Sequence, residues 1–243
     1  MEKQTIEMII MGRAVPEQRR NGRIGHCTAG YSPTLDSLVR LYPVPFGLCN
    51  RWDHIEVEVE KPSQDTRTES WKISGSKSHW HSAPERITKI SKLQKKEWVE
   101  LIHKLSRDCC VRQLNKERAS LCVIKPQIIK AFIDEKDDPK YKWGSHLRQM
   151  TLNGGLLPKT GRESPHHVRV IYRCQNCESK NPHKQQLLEW GAYRWIDKNP
   201  QNKEQVIDNL QLFNDAYEKY FLIGNLSNQR TSWVVISVFR WKK

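Results

Sequence analysis

The chain has 243 residues, enough for one large domain or two small ones with a buried core, which argues against disorder over its whole length. Its 41 Lys and Arg outnumber 27 Asp and Glu, and the formal net charge of +14 favours a polyanionic partner such as nucleic acid. A solubility surplus is the alternative explanation of this charge. The nine Trp residues exceed the needs of a core this size, so we expect some exposed rings on which bases can stack.

Two features of the sequence bear on its compartment. It contains no run of 18 apolar residues and no signal-peptide pattern, so it predicts a cytoplasmic protein with no membrane partner. Its seven Cys residues, an odd number, do not suggest a disulfide framework in a chain this long. We therefore expect reduced thiols, some of which can serve as metal ligands.

The first seventy residues have the pattern of short strands. Apolar or alternating runs at residues 5–11, 26–29, 37–44 and 55–60 are separated by Pro and Gly, which favour turns. Short strands joined by tight turns indicate a small barrel or a strongly bent sheet. The polar, Ser-rich residues 64–84 are predicted to form a loop or linker.

The rest of the chain mixes both periodicities. Residues 85–107 place apolar side chains at helical spacing and predict a helix. The β-branched run at 121–133, interrupted by Pro126, predicts one bent strand or two short ones. The remaining predictions are a long irregular connection at 134–165, a strand at 167–173, helices at 184–198 and 204–220, and strands at 220–225 and 232–241.

These elements predict an α+β fold. We expect the N-terminal and C-terminal strands to form one small bent sheet or β-barrel, with about three helices between them. A single domain over residues 1–243 is the first interpretation. The alternative is a division into a β-rich half at 1–73 and a helical half containing the Cys and His residues at 85–243.

One segment has the clearest metal-ligand spacing of the sequence. Cys174-x2-Cys177-x5-His183 offers two thiolates and an imidazole, three of the four ligands of a tetrahedral zinc ion. A tight turn with two unligated Cys residues is the alternative. A fourth ligand would have to come through tertiary folding, and the candidates are His166, His167, Cys122 and the Cys109-Cys110 pair.

Candidate nucleic-acid-binding residues combine positive charge with aromatic rings. Arginines near Gly22 and Gly25 suit a loop that follows a phosphate backbone, and rings beside basic residues suit base stacking. The candidates are Arg19, Arg20, Arg23, Arg40, Tyr42, Arg67, Trp71, Lys72 and Trp80.

A catalytic site is the alternative interpretation of one of these segments. Asp65, Glu69 and Lys72 have the residue types of a metal-dependent nuclease, in which carboxylates hold Mg²⁺ and a lysine acts on the water. A salt-bridged loop in which Arg67 pairs with both acids explains the same residues. His26 and Cys27 do not suggest a nucleophile pair, because neighbours along a strand point to opposite faces.

The chain resembles a family of uncharacterised bacterial and archaeal proteins. The resemblance depends on three segments, Cys27-Thr-Ala-Gly30, Arg40-Leu-Tyr-Pro-Val-Pro-Phe46 and Asp65-x-Arg67-x-Glu69-Ser70, and it continues through Cys174-x2-Cys177 with His183 to Glu189-Trp190. The chain departs from the family pattern at Gly191, where members carry a second acid. The resemblance implies no established activity, but it is consistent with a fold retained for binding in a mobile-element or defence system.

The sequence therefore predicts a nucleic-acid-binding protein rather than an enzyme, acting with other subunits of a nucleoprotein complex. One alternative is a metal-dependent nuclease or base-modifying enzyme. A second is a basic scaffold for an acidic protein partner. Zinc is the expected cofactor, held by Cys174, Cys177 and His183.

Overall fold

The computed structural model describes residues 3–18, 24–75, 80–135, 164 and 166–243. Its contacts divide the chain into an N-terminal unit built on Met1–Trp98 and a C-terminal unit built on Val99–Asp137 and Pro165–Lys243. This division falls inside a helix, whereas the alternative division of the sequence placed the break between residues 73 and 85. Among the described residues, no helix is long and apolar enough to cross a lipid bilayer.

Strands make up most of the regular structure. They are β1 (Lys3–Arg13), β2 (Glu17–Gln18), β3 (Ile24–Ser32), β4 (Ser37–Pro45), β5 (Asp53–Glu60), β6 (Ser70–Ile73), β7 (Ile87–Lys92), β8 (Leu121–Ile124), β9 (Pro126–Glu135), β10 (His166–Cys174), β11 (His183–Gln186), β12 (Tyr217–Asn225) and β13 (Trp233–Lys242). The helices are α1 (Lys95–Leu105), α2 (Val111–Lys116), α3 (Trp190–Lys198) and α4 (Gln205–Asn209), with 3-10 turns at Trp80–Arg86 and Pro200–Asn202.

Five strands of the N-terminal unit close into a barrel. The order around it is β1-β3-β4-β6-β5, and β5 pairs again with β1. Only β4 and β6 run parallel, through Arg40 beside Ser70, and the other pairs in the ring are antiparallel. This order and these directions are those of the oligonucleotide- and oligosaccharide-binding (OB) barrel.

The barrel encloses an apolar core because its strands alternate inward and outward side chains. On β5, Ile55, Val57 and Val59 are buried, whereas Glu56 is exposed. Inward side chains from β1, β4 and β6 complete the core: Ile6, Met8, Ile10, Val39, Leu41, Val44 and Ile73. The period-two pattern that predicted these strands therefore also decides which residues fill the barrel.

Gly30 is required where β1 and β3 approach each other. A Cβ atom at this position would collide with the carbonyl oxygen of Ile9. The β1–β3 register also shifts next to it, between Ile10 and Gly12. The glycine of the Cys-Thr-Ala-Gly segment thus has a packing role in closing the barrel.

The C-terminal unit contains two antiparallel three-stranded sheets, in the orders β11-β10-β9 and β13-β12-β8. Lys125 alone separates β8 from β9, so the chain passes there from one sheet to the other. A parallel bridge between Leu187 and Val235 links the far sides of the two sheets. Side chains from both sheets and from α2, α3 and α4 share one core that includes Tyr172 and Phe221.

The predicted α+β class and small barrel are confirmed. The prediction that C-terminal strands join this barrel is wrong, because β12 and β13 pair with each other and with β8. The N-terminal strands form the barrel without β12 and β13, because β5 pairs with β1 and closes the ring.

Two predicted helices begin later than the sequence indicated. The first part of the helix predicted at 85–107 is the strand β7, which pairs with β5. Ile87 and Ile90 fit helical spacing, but β-branched side chains also suit a strand, and pairing decides between them. Likewise β11 occupies the start of the helix predicted at 184–198, because it pairs with β10.

Two further elements differ from the prediction. The helix predicted at 204–220 is reduced to the short α4 and a turn before β12. The strand β6 lies inside the segment predicted as a loop, since its four residues are ordered by pairing with β4 and β5.

Candidate metal centre and basic residues

Four side chains of the C-terminal unit form a cluster that can hold a metal ion. The Sγ atoms of Cys110, Cys174 and Cys177 and a ring nitrogen of His183 all lie within 4.8 Å of one another. Cys110 and Cys174 are buried, whereas Cys177 and His183 are half-buried. The predicted trio is thus brought together, and Cys110 is the fourth donor.

A β-hairpin positions three of the donors. Cys174 is the last residue of β10 and His183 the first of β11, and His183 pairs with Tyr172 across the ladder. Cys177 lies in the connecting turn, which Arg173 holds by donating hydrogen bonds to the carbonyl oxygens of Ser179 and Lys180, both at 3.0 Å.

The loop before α2 brings the fourth donor. Cys110 immediately precedes α2 in extended backbone conformation. The side-chain amide of Asn176 donates to the carbonyl oxygen of Asp108 at 3.2 Å and ties this loop to the hairpin turn. The cluster therefore joins two segments that are more than sixty residues apart in sequence.

The distances among Cys110, Cys177 and His183 are close to those around a tetrahedral metal ion, for which zinc gives the reference values. Zn–S bonds near 2.3 Å and Zn–N bonds near 2.0 Å imply S–S edges of about 3.8 Å and S–N edges of about 3.6 Å. The Cys110 Sγ atom lies 3.8 Å from Cys177 Sγ and 3.9 Å from His183 Nε2. Cys177 Sγ lies 3.3 Å from the same nitrogen. Three thiols and one imidazole are also the donor set of structural zinc sites.

Local electrostatics differ among the donors. Burial raises the pKa of Cys174 to about 12, although the Val111 backbone amide opposes this shift. Burial also acts to raise the pKa of Cys177, but the backbone amides of Ser179 and Cys174, together with the Cys110 side chain and the charge of Arg173, outweigh it and the net shift is downward. Burial, with the charge of Arg173, lowers the pKa of His183 and keeps its imidazole neutral, the form that binds metal.

The other candidates for the fourth ligand lie elsewhere. Cys109 Sγ contacts Cys122 Sγ at 3.7 Å, in a buried thiol pair separate from the cluster. The hydrogen bond with the Cys122 side chain lowers the pKa of Cys109 to about 7. The His166 ring faces Glu135 at 3.7 Å. The sequence signal for Cys110 was only its place in an adjacent Cys pair.

In the N-terminal unit, the segments that carry the family resemblance meet on one side of the barrel. Arg40 of β4 lies beside Ser70 of β6, and its backbone amide donates to the Glu69 carbonyl oxygen at 2.7 Å. Arg67 donates from Nε and Nη2 to both carboxylate oxygens of Asp65, at 2.5 to 3.0 Å. These motif residues therefore brace the parallel β4–β6 junction.

Burial and charge shape this cluster. Burial raises the pKa of Cys27, against the effect of Arg40 and Arg67, so the thiol stays protonated at neutral pH. Burial also acts to raise the pKa of Asp65, but hydrogen bonds from Arg67 and Ser70 outweigh it and lower that pKa to about 2.

His26 lies next to Cys27 in sequence and is 1% exposed. Its Nδ1 is 2.8 Å from the Ala14 carbonyl oxygen, and its ring stacks on Phe46. Burial lowers its pKa to about 4. This environment gives His26 a packing role.

The predicted nucleic-acid-binding residues fall into three groups. Arg19, Arg20 and Arg23 connect β2 to β3 and lie outside the described residues. Tyr42 and Trp71 are half-buried, and Lys61 Nζ lies 3.5 Å from the centre of the Trp71 ring. The remaining candidates, Arg40, Arg67, Lys72 and Trp80, are buried or ion-paired.

The burial and ion pairing of these remaining candidates correct the prediction that they are accessible to nucleic acid. Trp80 was expected as an exposed loop ring, but it is 6% exposed because it packs where Gly25 leaves room. Arg40 was expected to present its guanidinium to a ligand, but the residue is only 2% exposed. Lys72 Nζ binds Glu60 Oε1 at 2.8 Å.

The candidate catalytic residues do not converge. Asp65 is paired with Arg67 and Lys72 with Glu60, while Glu69 accepts a hydrogen bond from Thr68 at 2.9 Å. Within the described residues, the Cys and His cluster is the one group of three or more side chains suited to hold a metal ion. The Arg67–Asp65 ion pair is the part of the salt-bridged-loop interpretation that these contacts include.

Comparison with known proteins identifies two family models along the chain. Residues 4–104 match a domain of unknown function, DUF8758. Residues 103–243 match a second, DUF8757. No curated protein matches significantly. The two models meet inside α1, as do the two compact units. Because the second model covers more than half of the chain, the protein belongs to the family of the domain of unknown function DUF8757.

Proposed function

We propose that this protein binds nucleic acid through its N-terminal barrel and holds a structural zinc ion in its C-terminal unit. The observation that carries the first part is the strand order of the barrel, with its single parallel pair. OB barrels bind oligonucleotides or oligosaccharides on their second and third strands and on the loops beside them. The net charge of +14 favours the anionic of these two ligands.

Charge at the expected loops supports the proposal. The second and third strands of the barrel are β3 and β4. The connection from β2 into β3 contains Arg19, Arg20 and Arg23. The connection from β5 to β6 contains Lys61, which is exposed beside the Trp71 ring. Both connections correspond to loops that contact ligand in OB barrels, and a lysine beside a ring suits a phosphate next to a base.

The zinc proposal depends on the donor set of Cys110, Cys174, Cys177 and His183. With four protein donors, no position is left open for water or substrate, which is the arrangement of structural rather than catalytic zinc. Bound zinc would supply a cross-link between the hairpin and the loop before α2. Elemental analysis of protein purified without added metal should give about one zinc per chain, and none in Cys110→Ser.

Fluorescence anisotropy with labelled single-stranded and double-stranded DNA and RNA tests nucleic-acid binding. Changing Arg19, Arg20 and Arg23 together to Gln should weaken binding and reduce the salt slope by about 2, since each phosphate contact contributes about 0.7 to 0.9. A control with the same charge change replaces Lys92, Lys95 and Lys96, which are exposed around the start of α1.

The control variant should keep the wild-type salt slope. Equal slopes for the arginine variant and the wild-type protein would show that the β2–β3 connection does not contact phosphate. Wild-type protein that binds none of the four nucleic acids would overturn the proposed function. Membership of a larger nucleoprotein complex, including one of a defence or mobile-element system, is part of the same proposal and depends on the sequence resemblance alone.

A further inference from the structure

The outer face of the sheet β11-β10-β9 in the C-terminal unit combines an aromatic ring with positive charge. Its inner face packs into the core through Val168, Val170 and Tyr172. The alternate residues point outward in two neighbouring rows. One row is Phe132, Arg169 and Gln186, and the other is Lys130, Ile171 and Lys184.

Two lysine side chains approach the Phe132 ring. Lys130 Nζ is 5.4 Å from the centre of its ring, and Lys184 Nζ, from the opposite edge strand, is 5.3 Å from the same point. The ring is half-buried, so it is supported by the sheet and remains accessible. A ring fixed on a sheet close to two cations offers a flat surface beside positive charge.

The charge of this face is not neutralised by its own acids. Neither Lys130 nor Lys184 forms an ion pair with any described residue, and both are exposed. Asp134, on the same strand as Phe132, is paired with Arg169 at 3.3 Å. Glu135, at the end of β9, contacts Lys203 and the His166 ring. Two uncompensated cations beside a ring favour an anionic partner.

We infer that this outer face, centred on Phe132, is a second nucleic-acid contact, specific for single strands. A base would stack on the Phe132 ring while Lys130 and Lys184 bind the flanking phosphates. Bases within a duplex are already stacked on each other, so the ring can accept only an unpaired base. This inference depends on the proposed function for the class of partner, but it does not require the barrel to be the main contact.

The test measures binding of a labelled 12-nucleotide single strand, as poly-U RNA and as poly-dT DNA, to the full-length protein and to Phe132→Ala. Loss of one stacked base should weaken single-strand binding by about tenfold or more and leave duplex binding unchanged. Phe132→Trp keeps a ring and should keep the affinity. Ultraviolet cross-linking followed by mass spectrometry should place a nucleotide on the peptide that contains Phe132.

The controls separate this contact from the barrel and from loss of folding. Ile129→Ala removes an exposed apolar side chain from the same strand and should leave affinity unchanged. Zinc content and circular dichroism report whether Phe132→Ala is folded. If Phe132→Ala binds within twofold of wild type and no cross-link maps to β9, the inference is wrong while the proposed function stands. If wild-type protein binds no nucleic acid, both are wrong.

Discussion

The two units of this protein hold their strands together in different ways. In the N-terminal unit, five strands form a closed ring of backbone hydrogen bonds around an apolar core. In the C-terminal unit, two three-stranded sheets are linked by one parallel bridge without forming such a ring, and a Cys and His cluster ties a hairpin to a distant loop.

This difference indicates which interactions stabilise each unit. A closed barrel leaves no unpaired edge in its ring, so its stability is spread over many ladder bonds and core contacts. Open sheets with long connections gain more from a local cross-link, and metal binding can supply it. We therefore expect the two units to respond differently to metal removal and to acid.

Metal removal should have the largest effect and should be confined to the C-terminal unit. Structural zinc contributes about 10 kcal/mol or more of binding free energy, which is lost when a ligand is removed. Hydrogen exchange measured by mass spectrometry should show that Cys177→Ser, or chelator treatment, deprotects β10, β11 and α2. The barrel strands should keep their protection.

Cys27→Ser is the matched control for metal removal, since Cys27 is a cysteine outside the cluster. It should leave zinc content and the exchange pattern of the C-terminal unit unchanged. Equal deprotection of both units by chelator would show that the barrel also depends on the metal.

Acid should weaken the barrel through His26. Burial lowers the pKa of His26 from 6.5 to about 4. Between these two pH values the imidazole is protonated in the unfolded chain but neutral in the folded barrel. This contribution to the free energy of unfolding is complete above pH 6.5 and falls by about 3 kcal/mol as the pH drops to about 4. The exchange rates of β1, β3 and β4 at pH 7 and pH 4 measure it, after correction for intrinsic rates.

His26→Gln keeps a side-chain donor for the Ala14 carbonyl oxygen but does not titrate. It should remove this part of the pH dependence. A barrel whose stability falls equally in the variant and the wild-type protein would assign the acid sensitivity to other groups.

The Asp65–Arg67 pair should have the next largest effect. Asp65→Asn leaves the buried Arg67 guanidinium without its charged partner and should lower the free energy of unfolding of the barrel by about 2 kcal/mol at pH 7. Because the folded-state pKa of Asp65 is lowered from 3.8 to about 2, wild-type protein should lose this contribution as the pH falls from about 4 to about 2. Urea unfolding measures both effects.

Glu56→Gln is the control for Asp65, because Glu56 is exposed on the outside of β5. It should change the stability of the barrel by less than about 0.5 kcal/mol. If both variants were equally stable, Asp65 would not brace the β4–β6 junction.

The smallest effect is expected at Glu189 in the C-terminal unit. Its carboxylate accepts a hydrogen bond from the Val238 backbone amide at 2.6 Å and fixes the start of α3 on β13. Glu189→Gln keeps an acceptor without the charge and should lower the free energy of unfolding by about 1 kcal/mol. Urea unfolding of the zinc-loaded protein measures this change, and the exposed Glu204→Gln provides the comparison. A larger loss of stability for Glu189→Gln than for Asp65→Asn would contradict the expected order of these two effects.

The sequence predicted some strands well and others poorly, for a physical reason. The residues of β5 alternate between apolar and polar because one face of the strand is buried and the other faces solvent, so the sequence alone indicates a strand. By contrast, β7 is almost entirely exposed, its apolar residues Ile87 and Ile90 stand at helical spacing, and only pairing with β5 orders it as a strand. β6 is too short to show a pattern.

Residue types and spacing by themselves determined the α+β class, the small barrel, the three clustered metal donors and the excess of positive charge. Each of these properties depends on local periodicity or on composition, which a linear sequence contains. Only the tertiary structure decided that β5 closes on β1, that Cys110 rather than Cys109 joins the metal donors, and that lysines from two different strands approach Phe132. These outcomes depend on contacts between distant segments, and strand register, rather than residue type, decides which side chains meet.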